Sequence, residues 1–187
     1  MPTRHIAVLV GSPRKASLNR KLALALAGLA PESLKLGIVE ITGLPFYNEE
    51  IEAEAPAPWT AFREQVAASD GVLFVTPEYN RSVPALLKNA VDVGSRPYGK
   101  SCLTGKPAAV ISLSPGAIGG FGANHHLRQS LMCLDVPVMA GPEAYLGNGG
   151  SLFDEQGGIA VPGTKDFLGK FIGAYAKWVE TILAGRG

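Results

Sequence analysis

Short apolar runs alternate along this chain with segments of helical spacing, and that alternation admits few folds. Ile6–Val10 is a continuous apolar run ending at Gly11, as a strand buried on both faces should be. Ser17 then precedes Leu18, Leu22, Ala25, Leu26 and Leu29, a helical repeat with Ser17 as its N-cap. Leu34, Leu36 and Ile38 alternate with Lys35, Gly37 and Val39, which predicts a partly exposed edge strand. A long acidic loop over 42–58 leads into a helix marked by Trp59, Phe62 and Val66. Asp70-Gly71 then turns the chain into a second buried strand, Val72–Thr76. Val83, Leu86, Leu87, Ala90 and Val91 predict an amphipathic helix over 82–93. Ala108–Leu113 reads as a third apolar strand and 123–134 as a helix with Leu127, Leu131 and Leu134 inward. Val136–Met139, with Ala144–Leu146 as a second candidate, supplies a short last strand before a final helix from Phe167 to Leu183.

Helices placed between successive strands force parallel pairing with right-handed crossovers. The chain therefore reads as an α/β protein, a doubly wound five-stranded parallel sheet of order 2-1-3-4-5 with helices on both faces. At 187 residues, with no repeat and no linker, it reads as one domain over 1–187. In such sheets ligands bind at the carboxyl ends of the strands, where the winding direction reverses. That predicts a site built from loops 11–17, 77–82 and 114–120.

Charge narrows the ligand class. The formal net charge is +1, without the basic surplus of a nucleic-acid binder. Residues 1–31 and 93–134 hold no Asp or Glu, while acids concentrate between Glu40 and Glu64. A nearly neutral protein with acid-free segments can build one local positive site for an anionic ligand. No apolar run approaches the roughly 20 residues that span a bilayer, and no signal-peptide core precedes the first strand. Cys102 and Cys133 form no disulfide framework and no CxxC. These features lead to the expectation of a cytoplasmic protein without a membrane or nucleic-acid partner.

The first loop, Gly11-Ser12-Pro13-Arg14-Lys15-Ala16-Ser17-Leu18-Asn19, leaves a strand and enters a helix. A helix N-terminus offers free N–H groups and a positive dipole end. Ser12, Ser17 and Asn19 add neutral donors, and Arg14 adds a fork that matches a phosphate. The loop is neither a Walker A motif nor a GxGxxG fingerprint, so it suits a terminal monophosphate. Two prolines stiffen the second loop, Thr76 to Pro84, which can present backbone groups to a planar heterocycle. Four glycines in the third loop, Ser112 to Gly122, permit close backbone approach to a flat ring.

GSPRKASLN at 11–19, LPFYNEE at 44–50, TPEYNRSVPALLKNAVD at 76–92 and GKPAAVISLSPGAIGG at 105–120 together resemble the NADPH-dependent FMN reductase family. HLRQSL at 126–131 and the Pro-Glu pair at 142–143 add to the likeness, which spans nearly the whole chain. This is the flavodoxin-like group that includes quinone, azo-dye and chromate reductases. The resemblance implies FMN as cofactor, with its phosphate against Ser12, Arg14, Ser17 and Asn19. It implies the isoalloxazine against Pro77, Glu78, Tyr79 and Asn80, with Ser82 nearby and Ser114, Gly116, Gly119 and Gly120 bordering the ring. NADPH or NADH would donate hydride, and a small-molecule acceptor such as a quinone, flavin, azo dye or chromate would take it. The family also implies a homodimer or a tetramer of dimers. This chain departs from close relatives at Arg81, where an aromatic residue is common, and at Gly122, with His125 and His126 following. In the family those positions lie near subunit contacts and the substrate mouth.

Other chemistries fit poorly. Ser112-Leu113-Ser114-Pro115-Gly116 lacks the first glycine of a hydrolase elbow and carries Pro after the nucleophile position. Adjacent His125 and His126 on a helix point roughly 100° apart and have no second ligand cluster, so no metal site is expected. The competing reading is a non-catalytic flavodoxin-like electron carrier or flavin-binding module. No side-chain acid or base is expected to be essential, because hydride transfer needs none. If one flavin face serves donor and acceptor, the kinetics are expected to be ping-pong.

Overall fold

A computed structural model describes residues 2–185. Its strands β1 (Arg4–Val10), β2 (Leu34–Ile38), β3 (Gly71–Thr76), β4 (Ala108–Leu113) and β5 (Ala144–Leu146) pair in parallel in the order β2-β1-β3-β4-β5. Helices α1 (Leu18–Leu29), α2 (Ala57–Ala67), α3 (Ala85–Gly94), α4 (Phe121–Cys133) and α5 (Pro162–Ala184) make the connections and cover both faces. The expected architecture and strand order are therefore present. Every residue of β3 and β4 is buried, as their uninterrupted apolar sequences require. β2 alternates in burial and β5 is three residues long, so both take edges.

The two-residue period of β1 divides the interior in two. Ile6, Val8 and Val10 join Leu22 and Leu26 of α1 and Phe171 and Tyr175 of α5. Ala7 and Leu9 join Trp59 of α2, Leu87 of α3 and Leu127 of α4 on the opposite face. Two large buried side chains place their polar ends on backbone carbonyls: the Tyr175 hydroxyl donates to Pro107 at 3.1 Å, and the Trp59 indole donates to Pro45 at 2.8 Å. Among the described residues no helix is long and apolar enough to cross a membrane.

Four boundaries differ from expectation. Val136–Met139 is not a strand; Val138 makes one bridge to Ala108, and the ladder resumes at Ala144. Pro137 has no N–H to donate, so this stretch cannot pair continuously. The third helix starts at Ala85, not at residue 82, because Pro84 disfavours helical geometry at Val83. The fourth starts earlier than expected, at Phe121, where Gly120 takes a left-handed conformation at its N-cap. The final helix likewise begins earlier, at Pro162, a residue preorganised for a first turn.

Candidate active site

β1 and β3 are neighbours whose following helices lie on opposite faces, so a crevice opens at their carboxyl ends. Gly11 starts the first loop there. A Cβ at Gly11 would stand 3.1 Å from Pro77 Cδ and 3.2 Å from Leu87 Cδ2, so glycine lets the first loop lie against the second. Ser17 is buried and caps α1, its Oγ accepting from the Arg20 amide at 3.2 Å. Among the described residues, the Leu18 and Asn19 amides find no acceptor. Two free N–H groups thus stand at the positive end of a twelve-residue helix. A 330 Å³ pocket on the β2 side of the first loop is lined by Ser12, Arg14, Lys15 and Arg20 together with the chain from Ile38 to Thr42. Arg20 is paired with Glu40 at 2.6 Å. Among the described residues Arg14 and Lys15 have no acidic partner, so two positive charges are uncompensated. Asn19 donates to the Leu113 carbonyl at 3.1 Å and ties α1 to the end of β4, leaving its buried Oδ1 without a partner.

The second loop is a two-residue hairpin. The Tyr79 amide donates to the Ser82 carbonyl at 3.1 Å and the Ser82 amide returns a bond to Tyr79 at 2.9 Å. Asn80 and Arg81, between them, have φ of 50° and 63°, the left-handed pair of a type I′ turn. Glu78 joins the hairpin tip to the start of α4. Its carboxylate accepts from the Ala123 amide at the start of α4 at 3.0 Å and from Arg81 Nη1 at 3.2 Å. Gly122 makes this contact possible: a Cβ there would lie 2.6 Å from the Arg81 carbonyl oxygen. Ser82 Oγ lies 3.0 Å from His126 Nδ1.

The third loop is held by a segment that sequence reasoning did not assign to the site. Ser114 donates its amide to Leu146, while the Asn148 and Gly149 amides donate to the carbonyls of Gly116 and Ser114. A Cβ at Gly147 would sit 2.3 Å from the Ala117 oxygen, and one at Gly119 would sit 2.7 Å from the Tyr145 carbonyl carbon. The signal was present in the Gly147-Asn148-Gly149-Gly150 run after a short apolar stretch. Ser114 Oγ accepts from the Gly116 amide at 3.1 Å. Pro115 to Ile118 form the exposed rim, whereas Gly119 and Gly120 are buried.

Beside this rim, Phe121, His125 and Tyr145 pack together, with His125 Nε2 2.9 Å from the Tyr145 hydroxyl. Burial and a hydrogen bond with Glu143 push Tyr145 up to about 12, so its hydroxyl stays protonated at neutral pH.

The predicted residues therefore sort by position. Arg14, Tyr79, Asn80 and Gly116 are exposed at the crevice, with Ser12, Glu78, Ser82 and Ser114 half-buried beside them. Ser17, Asn19, Pro77, Gly119 and Gly120 are buried and shape the loops. The donor set of the first loop suits a phosphate monoester: free amides, a half-buried hydroxyl and an unpaired guanidinium.

The sheet order defines a flavodoxin-like α/β protein, with three loops at the carboxyl edge of the sheet. The family model for NADPH-dependent FMN reductase matches residues 4–151, and the chain belongs to that family. It is 62% identical over 176 residues to a quinone reductase of Pseudomonas putida, covering 94% of each chain. It is 47% identical over 175 residues to a 2-hydroxy-1,4-benzoquinone reductase of a Burkholderia species, covering 94% of this chain and 96% of that one. Among solved structures it resembles FerB, a flavoenzyme NAD(P)H:(acceptor) oxidoreductase of Paracoccus denitrificans. That match has a TM-score of 0.91 and 40% identity, covering 96% of this chain and 98% of FerB. The protein is thus an oxidoreductase whose cofactors are FMN and NAD(P)H.

Proposed function

We propose that this chain is a single-domain quinone reductase that transfers hydride from NAD(P)H to a quinone by ping-pong exchange. The observation that carries the reading is the donor array at the carboxyl ends of β1, β3 and β4. Ser12, Arg14, Ser17 and Asn19 hold the FMN phosphate, Arg14 through its guanidinium and the start of α1 through its amides. The hairpin residues Pro77, Glu78, Tyr79, Asn80 and Ser82 flank the ring, and Ser114, Gly116, Gly119 and Gly120 border it from the third loop. When bound, FMN supplies the hydride chemistry, and the protein supplies binding, orientation and electrostatics. The overall change takes NAD(P)H, a proton and a quinone to NAD(P)+ and a hydroquinone. Reductant and acceptor use one open face in turn, so NAD(P)+ leaves before the quinone enters. The names of the similar proteins support the quinone. An open face that few polar groups shape also admits flavins, azo dyes and chromate. Use of NAD(P)H supports action in the cytoplasm, and a second copy completes the wall of the crevice as a homodimer or a tetramer of dimers.

The test is steady-state oxidation of NADPH by the FMN-loaded protein with 1,4-benzoquinone and no protein partner. Reciprocal plots at several fixed quinone levels are expected to be parallel, and intersecting lines would overturn the shared face. Arg14→Ala is expected to weaken FMN roughly 10- to 100-fold, the worth of one charge-assisted contact, read by flavin fluorescence. Unchanged affinity would remove the phosphate assignment, and absence of any turnover would favour an electron carrier.

A further inference from the structure

Arg81 occupies a position that selects against it. In a type I′ turn the second central residue has positive φ, and Asn-Gly is the favoured pair. Asn80 fits the first position, but Arg81 follows it with φ 63°, a conformation that the Cβ of an arginine disfavours. The hairpin is closed by the reciprocal Tyr79–Ser82 bonds, so the strain is fixed in place. The guanidinium is held in one orientation. Nη1 donates to Glu78 Oε1 at 3.2 Å, and Glu78 is anchored in turn by the Ala123 amide at 3.0 Å. The Arg81 side chain is 69% exposed, while that of Glu78 is only 10% exposed. The pair therefore shows its positive end to solvent at the hairpin tip and keeps its negative end behind. Among the described residues the Nε and Nη2 edge of Arg81 has no partner, which leaves one planar fork open.

We infer that Arg81 is a specificity-determining residue that receives an ionised oxygen on the electron acceptor. The inference rests on the quinone-reductase reading and narrows it to quinones carrying an acidic ring hydroxyl or a carboxylate. Arg81 is one residue from Asn80 and Ser82, which flank the ring in that reading. A substituent on an acceptor ring lies within reach of the open fork, and two parallel N–H groups match an anionic oxygen pair or a single enolate oxygen. Lysine could supply the charge without the fork. Glu78 acts as the positioning residue, since it alone among the described residues fixes the guanidinium.

The experiment compares 2-hydroxy-1,4-naphthoquinone, ionised at neutral pH, with its 2-methoxy analogue, which has the same ring and no charge. Arg81→Gly suits the turn geometry and should fold at least as well as the parent. Its ratio of kcat/KM for hydroxy- over methoxynaphthoquinone is expected to fall about tenfold to a hundredfold, the worth of a charge-assisted bond. Arg81→Lys is expected to fall by less. A second readout needs no turnover: the hydroxynaphthoquinone titrated into oxidised, FMN-loaded protein is expected to bind more weakly to Arg81→Gly by a similar factor. An unchanged ratio, or equal losses on both quinones, overturns the assignment. So does a loss confined to NADPH relative to NADH, which would assign Arg81 to a nucleotide phosphate instead. If the parent reduces neither quinone, the quinone-reductase reading fails; tight, Arg81-dependent binding of the hydroxynaphthoquinone would then still support the anion contact.

Discussion

Cys102 shows how a single residue can set an alkaline limit on stability. Its Sγ donates to the Gly94 carbonyl at 3.3 Å, and burial pushes the thiol from its ordinary 9.0 to about 11. The unfolded chain therefore releases this proton at a lower pH than the folded one does. The contribution is fully present below about pH 9 and is lost as pH rises from there through about 11. At pH 10 the loss is about 1 kcal/mol. Urea unfolding at pH 8 and pH 10 is expected to show a smaller decline for Cys102→Ala than for the parent. The Gly94 carbonyl keeps the Cys102 amide at 3.0 Å in that variant, so no acceptor is orphaned. A decline of equal size in both proteins would show that the thiol does not titrate differently on folding. Residues of this kind were not legible in the sequence, where Cys102 reads only as a reduced thiol. Ser17 was legible, because a serine ahead of a helical apolar repeat has one dominant use. Glu78 lay between: its place in the second loop was clear, but its bond to the Ala123 amide depends on a tertiary approach that Gly122 permits.

Among elements, the strands with continuous apolar sequence were read correctly in place and order, since only burial on both faces suits them. For β5 the second candidate, Ala144–Leu146, is the strand, whereas Val136–Met139 is as apolar as a strand but Pro137 breaks its ladder. The same short β5 leads into the segment that clamps the third loop. Gly147→Ala would drive a Cβ to 2.3 Å from the Ala117 oxygen, and backbone rather than a flexible side chain must yield. The substitution is expected to cost about 1–3 kcal/mol by thermal or urea unfolding and to weaken FMN along with it. Gly150→Ala is the control, since nothing lies within 4 Å of a Cβ there. Equal stability of the two variants would mean that the clamp is softer than its contacts imply.

For the whole molecule, three exposed apolar side chains bear on assembly. Tyr79, Ile118 and Phe121 all lie on the loops and helix start that rim the crevice, and all are close to half exposed. Pairing of two copies through this rim would shelter those side chains and wall in the ring. Light scattering at micromolar concentration is expected to report a dimer or tetramer; a species of 19.5 kDa alone would refute it. The winding of the sheet was legible from the alternation of elements, whereas the gathering of these three side chains at the rim was not, because an exposed aromatic residue in a loop carries no period. The bracket on the third loop also has a temporal side. A ribosome delivers the chain from its N-terminus at about 5–20 residues per second. Loop 11–19 emerges early, yet the Gly116 and Ser114 carbonyls wait for the amides of Asn148 and Gly149. On the proposed reading, a nascent chain carries the phosphate-side loop long before the loops around the ring are closed, and the vitamin-derived group would be retained only after the segment that follows the last strand has left the exit tunnel.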